Sequence, residues 1–372
     1  MAKKHHFVPK FYLRLFTDNP NLIHVYNLKQ QRAIENAALR DQCYKPHLHG
    51  LTDEFENEIA SVEGALAPYL QSVVGTSTLP EKESDGHIAL LMFVAFQMNR
   101  TTRSINIMSS GFDKMVQTVQ EHADSKGYEV EGLDTLLGGR EDPVRTSISL
   151  TWETLQIIRD LELLLLRTSP SQPFVTSDNP VFKYNQYLEG VRGFGITGNA
   201  LSGLQIFVPL SGSNLLMLYD SGVYRLEIPS NKGVISNLND RDRMKLNQMQ
   251  VHSAEENLYF GDWSKVRYVA GIAQGSIAHK IWDPVKAHEL VSRTVEDRSF
   301  IHQYNELPNL KLNLSFLGLR KQAQQLTLEE RLSAQHRFRI DPSILFPEPA
   351  LPPGVQLRTA RFAPRVGPRT NK

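Results

Sequence analysis

The chain has 372 residues and 42.2 kDa, enough to bury a sizeable core as one large domain or two. Its 41 Lys and Arg residues balance 40 Asp and Glu, so a net charge of +1 sets up no global field toward nucleic acid or membrane. The single cysteine, Cys43, excludes an intramolecular disulfide and fits a reducing compartment, and no stretch reaches the roughly 18 uninterrupted apolar residues of a membrane span. A cytoplasmic protein without a membrane partner is therefore expected. The basic start is followed by too short and too polar a run for a secretory signal.

In chain order, the first pattern is His5-His6-Phe7-Val8-Pro9-Lys10-Phe11-Tyr12-Leu13-Arg14-Leu15-Phe16, a start rich enough in aromatic groups to be docked instead of frayed. Pro9 suits the first position of a short helix. Residues 22–28 alternate as a strand, and 29–32 read as a turn before a weakly patterned 33–39. Phe55, Ile59, Val62 and Leu66 predict a helix over 52–71, followed by a polar linker over 75–84. A more apolar, central helix is predicted over 85–104, and a third over 108–125 before a glycine-rich loop at Gly138-Gly139. Residues 147–167 read as a fourth helix with Trp152, Leu155, Leu161 and Leu165 as its core stripe. After Pro170 and Pro173 come a strand at 174–176 and a hairpin of 204–210 with 214–219, closed by Ser211-Gly212-Ser213. A helix over 239–256 has Asn239 as its N-cap, and a strand pair is predicted at 258–260 and 266–269. These elements predict an α+β fold, mainly helical with a small antiparallel sheet. Residues 1–346 are expected to form a single domain, with position 170 the candidate internal division, and 347–372 are expected to form a basic, Pro- and Arg-rich disordered tail.

Four motifs in this order resemble a bacterial family catalogued as a domain of unknown function 4238. They are the His5–Phe16 run, the acids Glu58 and Glu63, Gln97 and Arg100 as Gln-x-x-Arg, and Ser177-Asp178-Asn179-Pro180 as Ser-Asp-x-Pro, with Pro209-Leu210-Ser211 a later strand end. The resemblance spans about residues 3–270 and departs from the family pattern at Thr102, where a proline is common. It implies an accessory or defence role in bacteria and names no reaction.

The residues themselves support two readings. His5 and His6 offer an acid, a base or a metal ligand; otherwise one caps a helix and the other meets water. Gln97 and Arg100, three apart, project to one side of an apolar helix. Arg100 either fixes a carboxylate or phosphate or pairs with an acid of the preceding helix. Glu58 and Glu63, five apart, share a face poorly. Asp178 and Asn179 before Pro180 favour a turn held by a strand, either a site or an Asx-turn. Cys43, His47 and His49 lack the second ligand pair of a closed zinc site. No Walker loop, dinucleotide fingerprint or nucleophile elbow occurs, and the cofactor and metal stay open, a single-metal variant using a histidine with Asp178 and an acid.

In the first reading, His5, His6, Arg100 and Asp178 are the catalytic groups of a phosphodiester or nucleic-acid hydrolase, such as a host-defence or toxin effector. Tyr12, Gln97, Ser177 and Asn179 then bind substrate, and nucleic acid is the partner, held in part by the basic tail. In the second, the same residues form a structural network in a binding or sensing module that acts with a partner protein. Whether His5 or His6, Arg100 and Asp178 share one water-accessible pocket separates the two.

Overall fold

The computed structural model describes residues 4–46, 48, 53–126, 142–191, 194–291, 299–333 and 337. The expected glycine-rich loop, His47, His49 and the tail over 347–372 lie outside the described residues. In chain order, β1 (Lys4–His6) leads into α1 (Lys10–Arg14), β2 (Leu22–Asn27), β3 (Arg32–Ala38) and β4 (Tyr44–Pro46). Three long helices follow: α2 (Asp53–Thr76), α3 (Asp85–Arg100) and α4 (Thr102–Lys126). Then come α5 (Pro143–Ser149), α6 (Thr151–Ile158), β5 (Glu162–Arg167), β6 (Thr176–Ser177), β7 (Phe182–Tyr184), β8 (Gln205–Pro209), β9 (Asn214–Tyr219), β10 (Tyr224–Leu226) and β11 (Val234–Ile235). The last third holds α7 (Asp240–Ser253), β12 (Asn257–Phe260), α8 (Val266–Ile277), the hairpin β13 (Val285–Val291) and β14 (Ser299–Asn305), and β15 (Leu317–Leu319). No helix among the described residues is long and apolar enough to cross a membrane.

The fold is mixed α and β, but its β content is not one small antiparallel sheet. A five-stranded sheet runs β11-β5-β9-β8-β7, with β11 parallel to β5, and a four-stranded sheet runs β3-β2-β12-β6. The second sheet hydrogen-bonds strands from both sides of position 170. A core cluster joins the N-terminal Phe7, Val8, Tyr12 and Leu13 to Leu90, Phe93 and Val94 of α3 and to Leu165, Val208 and Leu216 of the larger sheet.

Several expectations hold because their local chemistry is strong. Helix α1 opens after Pro9, the β8–β9 hairpin forms, and Asn239 caps α7 by accepting from the Asp242 N–H at 2.9 Å. Others fail for physical reasons. The helix expected over 147–167 ends at Ile158, and Glu162–Arg167 is a strand in the interior of the larger sheet. A strand covered on both faces needs no alternation, so its leucine run mimics a helical stripe. Trp152, expected in the core, is 57% exposed. Residues 266–269 are not a strand but open α8, whose buried Val269, Ile272, Ala273 and Ser276 recur at helical spacing. Residues 32–38, unassigned from the pattern, form the edge strand β3, mostly exposed and so without an apolar face to betray it.

The end of the N-terminal motif lies hard against the end of β12. A Cβ on Gly261 would sit 1.7 Å from the Phe16 carbonyl oxygen, so only glycine permits the two backbones this approach. Gly261→Ala is expected to destabilise the fold by about 2–4 kcal/mol in urea unfolding. A change below about 0.5 kcal/mol would show that the contact is easily relieved.

Candidate functional site

The N-terminal motif is anchored by its polar groups as well as its aromatic ones. The Tyr12 hydroxyl is 2.7 Å from Thr176 Oγ1 and donates to the Pro209 carbonyl at 2.6 Å. The Tyr12 ring packs 5.4 Å from Phe93, and burial raises its hydroxyl pKa far above the ordinary value. Gln97, fully buried on α3, donates to the Phe7 carbonyl at 3.0 Å. One turn on, Arg100 is also fully buried; it donates to Glu63 Oε1 of α2 at 2.7 Å and to the His6 carbonyl, and lies 4.6 Å from the Phe96 ring centroid. Burial pulls the guanidinium below its usual pKa, opposed by Glu63 and Glu56.

His5 is 1% exposed, with Nδ1 4.0 Å from Glu56 Oε2. His6 is partly buried, with Nε2 3.3 Å from the Arg40 carbonyl, and burial first and Lys10 second hold its pKa down at about 4. Glu58 is exposed. Cys43 is buried and donates to the Tyr259 hydroxyl at 3.2 Å.

The Ser177-Asp178-Asn179-Pro180 turn is fastened by a different set of partners. Pairing of β6 with β12 brings Asp178 to the amides that precede β12. Its carboxylate accepts from Glu255, Glu256 and Asn257 N–H at 2.7, 2.8 and 2.9 Å. Burial nevertheless pushes Asp178 up to about 6, with the three N–H groups acting against that rise. Ser177 Oγ accepts from the Asn179 N–H at 3.1 Å and from Gln250 Nε2. Asn179 Oδ1 accepts from Thr101 Oγ1 at 2.6 Å, while its Nδ2 donates to Ser253 Oγ at 2.8 Å. Asn179 thus ties the end of α3 to the end of α7.

The expected catalytic groups therefore meet the fold, not one another's reacting ends. Arg100 reaches His6 through a backbone carbonyl and takes Glu63 as its ion pair. Asp178 accepts from the backbone N–H groups of Glu255, Glu256 and Asn257. Among the described residues no group of three His, Cys, Asp or Glu side chains is placed to hold a metal ion.

A cavity of about 370 Å³ opens beside this network. Of the eight expected site residues, Asn179 alone lines it. Asn99 contributes from α3, Arg103 and Ser104 from the first turn of α4, Lys183 from β7, and His252 and Ser253 from the last turn of α7. Asn305, the last residue of β14, and residues 306–308 close another side. Leu150, 44% exposed, stands on its lining. The negative end of α7 is capped by Lys280, which donates to the carbonyls of Val251, His252 and Ala254. Burial first, then Arg103, brings Lys280 down to about 7. His252 is held down at about 4 by burial and by the neighbouring Lys280, His279 and Arg103 charges, so its imidazole is neutral near pH 7.

Arg103, Lys183 and His252 escaped the sequence reading. The usable signal was Lys183, a lysine set between the buried aromatics Phe182 and Tyr184 in a strand three residues after Pro180. Nothing local marks His252 at the end of an ordinary helix, or Arg103 just past Arg100.

A family model described as Protein of unknown function (DUF4238) matches residues 4–264, and the chain belongs to that family. No curated protein and no solved structure matches the chain. The four motifs quoted above all fall within the matched span.

Two outcomes follow from these bonds. Arg100→Met strands the Glu63 carboxylate and the His6 carbonyl, and is expected to cost about 3–5 kcal/mol of unfolding free energy in urea titration. A near-neutral result would show that the pair is not a structural anchor. The second concerns pH. The folded pKa of His252 lies below its unfolded value of 6.5, so its contribution is complete above pH 6.5 and is lost as pH falls toward about 4. Wild type should accordingly lose more stability than His252→Gln between pH 7 and pH 4.5; equal losses would remove the buried imidazole from the account.

Proposed function

We propose that the protein is a small-molecule binding module whose site is the cavity between α4, α7 and β7, with the family motifs serving as its frame. The observation that carries this reading is that Asn179, a motif residue fixed at both its amide atoms, stands on the wall of a cavity of about 370 Å³. That volume falls in the range of pockets for small organic ligands. The walls combine amides and hydroxyls with apolar groups such as Met98, Ile107 and Met249, the mixture such pockets use to bury a ligand and orient it. The hydrolase reading has weaker support, because Arg100 and Asp178 already use their charged atoms on Glu63 and on three backbone amides. In a binding module those bonds need no further purpose.

The test is occupancy by the fluorescent probe 8-anilinonaphthalene-1-sulfonate and its neutral counterpart N-phenyl-1-naphthylamine. The full chain is expected to take at least one of them at a single saturable site. Leu150→Trp, which places a larger ring at a partly exposed lining position, should weaken that binding by about tenfold or more while leaving the melting temperature nearly unchanged. Absence of saturable binding, or binding indifferent to Leu150→Trp, would overturn the reading. Cleavage of RNA or DNA by the folded protein, with or without divalent metal, that is lost in Asp178→Asn would restore the hydrolase reading in its place.

A further inference from the structure

We propose that the ligand of this cavity is an organic anion, its apolar body against the methionine-lined wall and its negative head on Lys183, with Arg103 adding positive potential. The inference rests on the binding reading above and names the chemical class that the site accepts.

Charge accounting inside the cavity leads to it. Lys183 Nζ donates to Asn199 Oδ1 at 3.1 Å, and among the described residues no carboxylate pairs with it. Its pKa is brought down to about 8 by burial. Lys183 is partly buried, and an ammonium even partly withdrawn from water without an anion is unfavourable, so a ligand that supplies the anion offsets that penalty. The acid on the same lining, Glu306, has its carboxylate 3.6 Å from Lys286 Nζ and so faces a cation of its own.

Arg103 strengthens the same sign. It donates to the Ile281 carbonyl at 3.1 Å, and among the described residues it forms no ion pair. The acids that act on it at a distance are Glu255, Asp178 and Asp283. Each of these is bonded elsewhere. Glu255 accepts from Thr102 at 2.5 Å and from Asn106 at 2.9 Å, Asp178 accepts from three amides, and Asp283 pairs with Lys114 at 2.7 Å. The remaining basic group, His252, is neutral near pH 7 and adds no negative charge. The lining side chains thus carry two cations without an ion-pair partner among the described residues, Lys183 and Arg103, against one acid that has a cation of its own. Met98, Met108 and Met249 line it as well, and thioethers adapt to the shape of an apolar body.

The experiment compares the two naphthyl probes, which differ by the sulfonate. Wild type should bind the sulfonate probe more tightly than the neutral one. Lys183→Gln and Lys183→Met should each weaken the sulfonate probe by about tenfold or more and leave the neutral probe within about twofold. Lys183→Arg should retain the preference, and circular dichroism with thermal melting checks that each variant is folded. The two neutralising substitutions keep the test open if one of them fails to fold. Displacement of the sulfonate probe by phenyl phosphate or by benzoate identifies the source of the negative charge, and benzamide, the neutral relative, should not displace it. Equal binding of both probes, or sulfonate binding unchanged in the folded Lys183 variants while Leu150→Trp still weakens it, would overturn the anion assignment and leave the binding reading standing. Failure of both probes to bind saturably would remove both proposals.

Discussion

The structure depends first on a single buried guanidinium. Arg100 is large, charged and fully enclosed, and a charge in that position is tolerated only where its partners are fixed. Those partners come from two directions: Glu63 from α2 and the His6 carbonyl from the first strand. The chain start is therefore held by a residue nearly a hundred positions away, and the three elements are stable together or not at all. Gln97 repeats the device one turn earlier by holding the Phe7 carbonyl. The aromatic groups between these polar ties fill the space against α3 and the larger sheet, so hydrophobic burial and hydrogen bonding specify one position for the motif.

A second anchor has the opposite charge. Asp178 gathers the three amides that lead into β12, and Lys280 gathers the carbonyls that end α7. The short connection between that helix and that strand is thus gripped from both sides, by an anion on its N–H groups and a cation on its C=O groups. His252 and Ser253 sit at this connection, and their positions on the cavity wall follow from it. The motifs and the cavity are linked through this backbone placement and through Asn179, which stands on the cavity wall.

How much of this was legible in the sequence depended on the range of the signal. Pro9, Asn239 and the Ser211-Gly212-Ser213 turn act on their neighbours, and the elements they open or close were readable. The leucines of 162–167 were misread because a strand with both faces covered carries no period of two. Arg100 could be read as a polar island in an apolar helix, and its pairing with an acid of the preceding helix was one of the two expected outcomes. The choice of Glu63 over Glu58 was not readable, since it depends on the rotation of α2 against α3. The cavity was illegible for a similar reason. Its basic residues come from α4, β7 and α7, separated by dozens of residues, and each looks ordinary alone. A sequence motif marks what the backbone must hold; here it marked the frame and passed over the opening.

The cavity also has two origins along the chain. Arg103, Lys183, Asn179 and His252 lie within residues 4–264, the span shared with the family, whereas Ile281, Pro284 and residues 305–308 come from beyond it. The lining is thus drawn from both sides of the end of the matched span. The segment after α8 also supplies Lys280, which holds the carbonyls at the end of α7, and the Ile281 carbonyl that receives Arg103, so the later residues help to place the earlier ones. The two stretches therefore close a circuit around the opening, and a change in either is felt in the other.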